Sequence, residues 1–423
     1  MAPTHEIEQT GEDEGEDDAQ EFIEAGDVYA EVDDDDDAMM DEDADDLGEL
    51  PAGVDEDEIV YEDDSIQHFT AHRKSVFTVA SHPSAPLAVS GGEDDLGYIW
   101  DIETGKTVVK LSGHSDSVAC VAFSSDGEMV STGGMDGRVR IWRRVGKQDW
   151  KTWEFLTELQ GPDEVMWLKW HPKGPVLLAG SNDSTVWLWQ LPSGNTMQVF
   201  AGHTGPVTCG DFTPDGKRIL TACNDNTLIY WDPRDPTPIF KLTAQDGRFD
   251  LDGITTLAVN PASTLAVIGG AAGGVRVVSL TKGEVIAALG THDEGQSVEA
   301  AVFVNVAGAT VGGSALATTG GGTVVTGATD GKACVWDLNT NRLRTLLTHQ
   351  DSVTSLHVHP TKAHLLISAS ADGALRTWDV RTGTLLREHK GHRGAVLGAS
   401  LAMGGDVILS ASDDGKCLVF ATE

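Results

Sequence analysis

The first 72 residues of this 423-residue chain contain neither lysine nor arginine, and Arg73 is the first side chain of either type. Acidic residues are concentrated in the same region, since 30 of the 67 Asp and Glu residues lie within residues 1–64. Like charges at this density stay solvated, and few apolar residues are present to offset the entropy lost on folding. We therefore predict that residues 1–63 form a disordered acidic arm and that residues 64–423 form the folded domain.

Cysteine is scarce, and the five cysteines form no CxxC pair. An odd number without paired spacing argues against a disulfide framework. The sequence also has no signal peptide and no apolar run of membrane length. These absences favour a soluble protein of the reducing cytoplasm or nucleus, with no membrane association.

Clusters of basic residues and catalytic motifs are also missing. A formal net charge of −38 without a Lys- and Arg-rich patch disfavours direct binding to nucleic acid. No HExxH motif occurs, and no Ser-His-Asp set stands apart from the repeats described below. The glycine-rich stretch 308–322 lacks the GxxxxGK[ST] spacing of a phosphate-binding loop, which favours a long loop between two strands. We predict no enzyme activity, no cofactor and no metal.

The chain contains an internal repeat. The stretch "HSDSVACVAFSSDGEMVSTGGMDGRVRIW", from His114 to Trp142, returns in similar form from His203 and from His349. Its alternating apolar strands, separated by turns such as "DG", resemble the WD-repeat blade. We predict an all-β fold, an eight-bladed WD-repeat β-propeller. The eight units end at Trp100, Trp142, Trp189, Trp231, Val278-Ser279, Trp336, Trp378 and Phe420.

The resemblance to the WD-repeat family implies a structural role for the polar residues of each unit. In that family a His, a Ser or Thr, the turn Asp and the Trp form a hydrogen-bonded chain across three strands. We expect such chains rather than metal ligation, and the fifth unit is degenerate because "AAGG" replaces its Asp turn. The three sets that fit are His114, Thr132, Asp136 and Trp142; His203, Thr221, Asp225 and Trp231; and His349, Ser368, Asp372 and Trp378.

The last unit stops three residues after Phe420, so its outer strand must come from elsewhere in the chain. The stretch "DSIQHFTAH", from Asp64 to His72, aligns with the outer strands "TMQVFAGH" and "TVVKLSGH" of other units. Pairing this strand with the last unit would close the ring and remove exposed sheet edges. We predict that closure.

Acidic residues recur in the loops before the innermost strands and in the Asp turns. In WD-repeat rings these loops meet on one face, so we expect a negatively charged face. Glu299 differs from these loop residues, because "SVEAAVF" aligns with "SVACVAF" and places a carboxylate on an innermost strand. That position costs desolvation unless water or a ligand reaches the carboxylate, and it favours a ligand-binding role. Of two nearby tryptophans, we expect Trp170 in the core, while Trp167 fits the core or an aromatic anchor at the channel mouth.

Four stretches narrow the resemblance: "LAVSGGEDDLGYIWDI", "WLKWHPKGPVLLAGSND", "VTCGDFTPDGKRIL" and "ASDDGKCLVF". They are similar to the angio-associated migratory cell protein family, which includes a fungal chaperone dedicated to a large-subunit ribosomal protein of the L-ten (universal L-sixteen) type. The resemblance implies a cytoplasmic, monomeric chaperone. It would hold the basic N-terminal segment of that ribosomal protein on the acidic face until delivery to the pre-60S particle. Carried over by position, the binding residues are Glu93, Asp116, Glu164, Glu299, Asp351 and Asp413.

Two alternatives remain open at the level of sequence. An acidic arm on a WD-repeat ring also resembles histone chaperones, whose cargo is basic as well. The stretches "WDPR", Trp231 to Arg234, and "WDVR", Trp378 to Arg381, resemble the WDxR box of substrate receptors in cullin-type ubiquitin ligases. Four-residue matches on a repeated "WD" are weak, and each Arg also fits a surface turn.

Overall fold

The computed structural model describes residues 62–146, 149–290, 292–304 and 322–423. Within them, 32 strands form eight antiparallel four-stranded sheets. No helix among these residues is both long and apolar enough to span a membrane. The predicted arm lies outside the described residues except for Glu62 and Asp63, and so does the glycine-rich stretch except for Gly322, so the arm and its boundary stay predictions.

The eight sheets are the eight predicted blades. Each of blades 1 to 7 contains four consecutive strands, which begin with β2, β6, β10, β14, β18, β22 and β26; blade 8 contains β30, β31, β32 and β1. The strands are β1 Gln67–Phe69, β2 Val76–Ser81, β3 Leu87–Gly92, β4 Gly97–Asp101, β5 Lys106–Leu111, β6 Val118–Phe123, β7 Met129–Gly134, β8 Val139–Arg144, β9 Trp153–Leu159, β10 Val165–Trp170, β11 Val176–Ser181, β12 Thr185–Gln190, β13 Asn195–Ala201, β14 Cys209–Phe212, β15 Ile219–Cys223, β16 Thr227–Asp232, β17 Asp235–Leu242, β18 Ile254–Val259, β19 Leu265–Gly270, β20 Val275–Ser279, β21 Glu284–Leu289, β22 Val298–Val304, β23 Thr323–Ala328, β24 Lys332–Asp337, β25 Arg342–Thr348, β26 Val353–Val358, β27 Leu365–Ser370, β28 Leu375–Asp379, β29 Thr384–His389, β30 Val396–Ala402, β31 Val407–Ser412 and β32 Cys417–Ala421.

The ring is closed by the strand that the sequence predicted. β1 pairs antiparallel with β32, with Gln67 opposite Val419 and Phe69 opposite Cys417. The innermost strands of successive blades contact each other in a circuit that returns from β30 to β2, around a central channel. The first blade is therefore joined to the last, and no sheet is left without its outer strand.

The core lies between the blades, where the faces of neighbouring sheets pack together. Trp167, Phe200 and Trp231, from three different strands of blades 3 and 4, belong to one buried cluster. The middle strands are buried on both faces, as in β3 and β19, whose residues are all buried. This burial explains why their sequences, such as "LAVSGG" and "LAVIGG", are apolar or small throughout.

The complete hydrogen-bonded chain occurs in blade 6, which the sequence did not single out. His292 Nε2 lies 2.9 Å from Thr326 Oγ1, and its Nδ1 lies 3.1 Å from Asp330 Oδ2. Trp336 Nε1 donates to the same Thr326 oxygen at 3.0 Å. The long insertion before β23 separates this His from its Asp by 38 residues and hides the pattern in the sequence.

In blade 2 the predicted chain lacks its last member. His114 contacts Thr132 at 2.7 Å and Asp136 at 3.0 Å as expected. Trp142 makes no hydrogen bond to Thr132 within the described part of the chain, and its ring packs edge-to-face on Phe155 instead. The prediction was therefore wrong for Trp142.

In blade 4 the predicted contact between His203 and Asp225 is also absent. Thr227 takes it over, because its hydroxyl lies 2.6 Å from His203 Nδ1 and also donates to Asp225. Thr221 holds the other ring nitrogen of His203 at 2.8 Å and accepts from Trp231. A hydroxyl therefore bridges the imidazole and the carboxylate in this blade.

In blade 7 an arginine displaces the histidine. Arg376 Nη1 donates to Asp372 Oδ2 at 2.7 Å, and both side chains are almost completely buried. His349 keeps its contact with Ser368 at 2.7 Å, but its Nδ1 has no partner among the described residues. Burial, reinforced by the charge of Arg376, lowers the pKa of His349 to about 4, so this side chain is neutral at pH 7.

Blade 5 lacks the polar chain of His and Asp, and hydrogen bonds from an arginine hold the loop before its innermost strand instead. Arg276 donates to the backbone carbonyls of Arg248 at 2.7 Å and Asp250 at 2.8 Å. Phe249, between them, is completely buried. The loop before β18 is thus fixed by one guanidinium and one aromatic ring, which explains how the blade keeps its shape without the His and Asp.

Candidate functional site: the acidic face of the ring

Sixteen loops lie at one end of the ring, which we call the upper face. They are the loops before the innermost strand of each blade and the turns between its second and third strands, because antiparallel order places both at the same end. The loops before the innermost strands are 70–75, 112–117, 160–164, 202–208, 243–253, 290–297, 349–352 and 390–395. The turns are 93–96, 135–138, 182–184, 224–226, 271–274, 329–331, 371–374 and 413–416. Five of the six predicted binding residues lie in these loops, and Glu299 lies on β22.

Charge is distributed unevenly over this face. The loops of blades 1 and 8 contain five carboxylates and five basic side chains, so that sector is formally neutral. The loops of blades 2 to 7, which we call the acidic sector, contain fourteen carboxylates and only two basic side chains. The carboxylates of the acidic sector are Asp116, Asp136, Asp163, Glu164, Asp183, Asp225, Asp246, Asp250, Asp252, Asp293, Glu294, Asp330, Asp351 and Asp372; the basic residues are Arg138 and Arg248.

Two of the predicted binding residues lie in the neutral sector, and both are already engaged. Glu93 Oε1 pairs with Lys74 Nζ at 3.3 Å. Asp413 accepts a hydrogen bond from the Ser75 hydroxyl, which ties blade 8 to the loop before blade 1. Both side chains remain partly accessible, but a cationic ligand would have to compete with these contacts.

Three others lie exposed in the acidic sector. Asp116 accepts from the backbone N–H of Ser117 at 2.7 Å, and Asp351 accepts from that of Ser352 at 2.6 Å. Glu164 accepts from Asn182 Nδ2 at 3.1 Å. Within the described residues none of the three carboxylates pairs with a lysine or arginine, so their charge is available to a ligand.

Glu299 occupies an unusual backbone position. The register of β22 against β23 shifts between Val298 and Ala300, which makes Glu299 the bulged residue of the innermost strand. Its side chain is exposed, and no hydrogen bond or ion pair to it occurs in the described parts of the chain. The desolvation expected from the sequence is therefore avoided, because the bulge presents the carboxylate to the channel mouth.

The same bulge recurs in the other blades. Register shifts at the equivalent site occur in seven blades, and in blade 4 the aligned residue directly precedes β14. Three threonines at these positions donate to the first residue of the next innermost strand: Thr208 to Ile254 O, Thr255 to Val298 O and Thr354 to Val396 O, at 2.6 to 2.7 Å. The residues that ring the mouth, from blade 1 to blade 8, are Phe77, Ala119, Met166, Thr208, Thr255, Glu299, Thr354 and Leu397.

A polar cleft of about 200 Å³ lies between the loops of blades 6 and 7, on the acidic sector. Asp293, from the loop before β22, and Asp351, from the loop before β26, both contribute to its walls. Asp293 pairs with Lys332 at 2.6 Å, whereas the Asp351 carboxylate has, within the described part of the chain, only its neighbour Ser352 as a partner. The cleft therefore adds the exposed carboxylates of Asp293 and Asp351 to the side of the ring that carries Glu299.

Both tryptophans of "VMWLKWHP" pack against neighbouring blades rather than at the channel mouth. Trp167 is buried between blades 3 and 4 and donates to Val207 O at 2.9 Å, so the alternative of an aromatic anchor at the mouth was wrong. Trp170 is half-buried and donates to Ser131 Oγ at 2.9 Å, as expected for a core residue. Met166 is instead the exposed large hydrophobic residue of this stretch, with 40% of its surface accessible. Only the bulge in β10, which the sequence does not reveal, brings Met166 outward.

One group of metal-ligating side chains is present in the described part of the chain, formed by His203, Cys223 and Asp225. Hydroxyl groups already bond both ring nitrogens of His203, through Thr221 and Thr227. Burial raises the pKa of the Cys223 thiol to about 11, which disfavours the thiolate that a metal requires. The contacts within blade 4 thus account for these donors without an ion.

The two WDxR stretches lie at the opposite end of the ring. Arg381 pairs with its own Asp379 at 2.6 Å, and the backbone N–H of Arg234 donates to Asp232 at 3.0 Å. In both turns the arginine donates to the aspartate two residues before it, through its side chain or through its backbone N–H. This geometry fits the surface-turn interpretation.

Comparison with known proteins agrees with this architecture. Residues 63–101, 105–143, 153–190, 194–232, 340–379 and 383–420 match the family described as WD domain, G-beta repeat. The chain is 33% identical over 375 residues to the human angio-associated migratory cell protein, which covers 85% of this chain and 81% of that protein. Sqt1 from Chaetomium thermophilum, in a crystal structure bound to the N-terminus of the ribosomal protein L10, is similar with a TM-score of 0.77 and 29% identity over 85% of this chain and 100% of that chain. The ribosome assembly protein SQT1 of Saccharomyces cerevisiae is 29% identical over 222 residues, which are 50% of this chain and 49% of that protein.

Proposed function

The chain belongs to the WD-repeat family that contains the angio-associated migratory cell protein, and from this premise we propose that it is a dedicated chaperone for a ribosomal protein. Its cargo is the basic N-terminal segment of newly made L10, which it holds on the acidic sector of the upper face. It keeps the segment from stray RNA in the cytoplasm until delivery to the pre-60S particle. The function is binding by a monomer, without catalysis.

The observation that carries this proposal is the similarity to Sqt1 bound to the L10 N-terminus, together with the charge of the acidic sector. The similar chain is matched along its whole length, so the ligand-bearing ring has a counterpart here for each blade. A surface with fourteen carboxylates and two arginines in its loops attracts an Arg- and Lys-rich segment and accelerates its capture. The same charge repels RNA, whose phosphates would otherwise compete for that segment.

The contacts of the predicted residues support a ranking within this role. Glu299, Asp116, Glu164 and Asp351 carry the binding, because their carboxylates have no cationic partner within the described residues. Glu93 and Asp413 contribute less, because Lys74 and Ser75 already engage them. Truncating an unpaired acid at the mouth should therefore weaken binding more than truncating Glu93.

The experiment is calorimetric binding of a synthetic L10 N-terminal peptide to the full chain and to three variants. Glu299→Thr removes the charge and installs the residue that three other blades have at the aligned position, so the fold should persist. Glu103→Thr removes an exposed carboxylate at the opposite end of the ring and serves as the control. We expect Glu299→Thr to weaken binding at least tenfold, or about 1.4 kcal/mol, Glu93→Gln to weaken it less, and Glu103→Thr to leave it unchanged. A wild-type chain that does not bind the peptide, or equal losses in all three variants, would reject the proposal.

A further inference from the structure

The eight residues that ring the channel mouth divide into two halves. Blades 8, 1, 2 and 3 contribute Leu397, Phe77, Ala119 and Met166, which we call the apolar arc. Blades 4 to 7 contribute Thr208, Thr255, Glu299 and Thr354, which we call the polar arc. Since the blades follow one another around the ring, each arc is continuous and spans half of the mouth.

The apolar arc presents accessible hydrophobic side chains. Met166 is 40% exposed, and Phe77 and Leu397 are half-buried. Leu397 and Phe77 lie on the adjoining innermost strands β30 and β2. The backbone of Phe77 packs against Gly398, the residue that follows Leu397. The core does not require Met166, since its neighbour Trp167 fills the space between blades 3 and 4. Accessible apolar side chains gathered on one side of a mouth and rimmed by polar groups are typical of a binding site.

The polar arc differs because its hydroxyl groups already form hydrogen bonds within the ring. The three threonines donate to backbone carbonyls of the next blade, which leaves Glu299 as the available charged group of this arc. The cleft lined by Asp293 and Asp351 lies in the loops of blades 6 and 7, and Glu299 belongs to the same side of the ring, on the innermost strand of blade 6. The accessible negative charge and the apolar surface thus face each other across the mouth.

Building on the proposed function, we propose that the mouth recognises a pair of side chains rather than charge alone. A lysine or arginine of the bound segment pairs with Glu299, and a large apolar or aromatic side chain of the same segment packs on Met166, Phe77 and Leu397. The two arcs accept different chemistry, so the segment can lie across the mouth in only one direction. Basic segments that lack a large apolar residue lose this second contact and bind more weakly at equal charge.

The test compares two peptides and two protein variants by calorimetry, with the full chain. One peptide is the L10 N-terminal segment, and the other is the same segment with its large apolar and aromatic residues changed to serine, so the net charge is the same. The variants are Met166→Ser in the apolar arc and Met197→Ser, which changes another exposed methionine of blade 3 on the outer strand. Because both methionines are exposed, by 40% and 48%, neither change should impair folding, and thermal unfolding verifies this.

We expect the serine-substituted peptide to bind the wild-type chain at least tenfold more weakly than the native segment. Met166→Ser should weaken binding of the native peptide about threefold to tenfold, and it should not weaken binding of the substituted peptide further. Met197→Ser should change neither affinity. Equal affinity of both peptides for the wild-type chain, or equal effects of the two methionine variants, would overturn the paired recognition while leaving the chaperone function in place. Failure of the wild-type chain to bind either peptide would overturn both.

Discussion

Phe69, on the strand that closes the ring, stacks face to face on Trp100 of blade 1, with ring centroids 4.8 Å apart and ring planes 6° apart. Both side chains are almost fully buried. Phe69 pairs through its backbone with blade 8 and through its ring with blade 1, so one residue links the first and last units of the chain. Closure therefore depends on a buried aromatic contact as well as on strand pairing.

Replacing Phe69 by alanine should destabilise the whole ring. The change removes a buried aromatic side chain and leaves a cavity beside Trp100, at a cost of about 3 to 5 kcal/mol. Urea unfolding followed by tryptophan fluorescence would measure the loss. The neighbouring Ile66→Ser, at a side chain that is 60% exposed, should cost far less. Equal midpoints for the two variants would contradict the proposed role of Phe69 in closure.

The hydrogen-bonded chains of blades 6 and 2 offer a matched pair of substitutions. Thr326→Val leaves His292 Nε2 and Trp336 Nε1 without a hydrogen-bond partner, whereas Thr132→Val leaves His114 Nε2 without one; both histidines keep their aspartate at Nδ1. Each stranded buried group costs about 1 to 3 kcal/mol, so Thr326→Val should be the more destabilising by about that amount. Both threonines are completely buried, which makes the volume change the same. A larger loss for Thr132→Val would show that the complete chain in blade 6 contributes nothing extra.

Acid should weaken the fold through its buried histidines. Burial lowers the pKa of His203, His349 and His389 to about 4, below the value of about 6.5 in an unfolded chain. Between these two pKa values the histidines bind protons in the unfolded chain but not in the folded ring. The free energy of unfolding therefore falls as the pH drops from about 6.5 to 4. The stabilisation is fully present above pH 6.5.

The His349→Gln variant isolates one of these contributions. Because this site no longer takes up a proton on unfolding, the urea midpoint of the variant should fall less between pH 7 and pH 5 than that of the wild type. Unfolding curves at the two pH values measure the difference. An identical pH dependence in both proteins would mean that His349 binds protons equally in the folded and unfolded states, and this would contradict the prediction.

The repeats and the closing strand could be predicted because each unit contains its own strands, turns and terminal aromatic residue. "DSIQHFTAH" matches other outer strands, and for that reason the pairing of β1 with β32 followed from the sequence. The acids of the upper face were predictable as well, since antiparallel order places their loops at one end.

The finer contacts could not be predicted, because they depend on neighbours that the repeat does not specify. Arg376 binds Asp372 in place of His349, and the Thr227 hydroxyl lies between His203 and Asp225. The polar residues of both blades nevertheless fit the repeat pattern. The bulge at Glu299 is a change of register that leaves no mark in a single sequence. The apolar arc was hidden for the same reason, since the alignment shows which residues correspond but not that they turn outward.

The proposed function requires that the acidic sector recognise one basic segment rather than positive charge in general. The most direct measurement is calorimetric binding of the full chain to the L10 N-terminal peptide beside a histone tail of the same net charge, at two salt concentrations. We expect the L10 peptide to bind at least tenfold more tightly and to keep that preference at the higher salt concentration. Equal affinities that are both lost at the higher salt concentration would overturn the proposed function and identify the chain as a nonspecific polyanion.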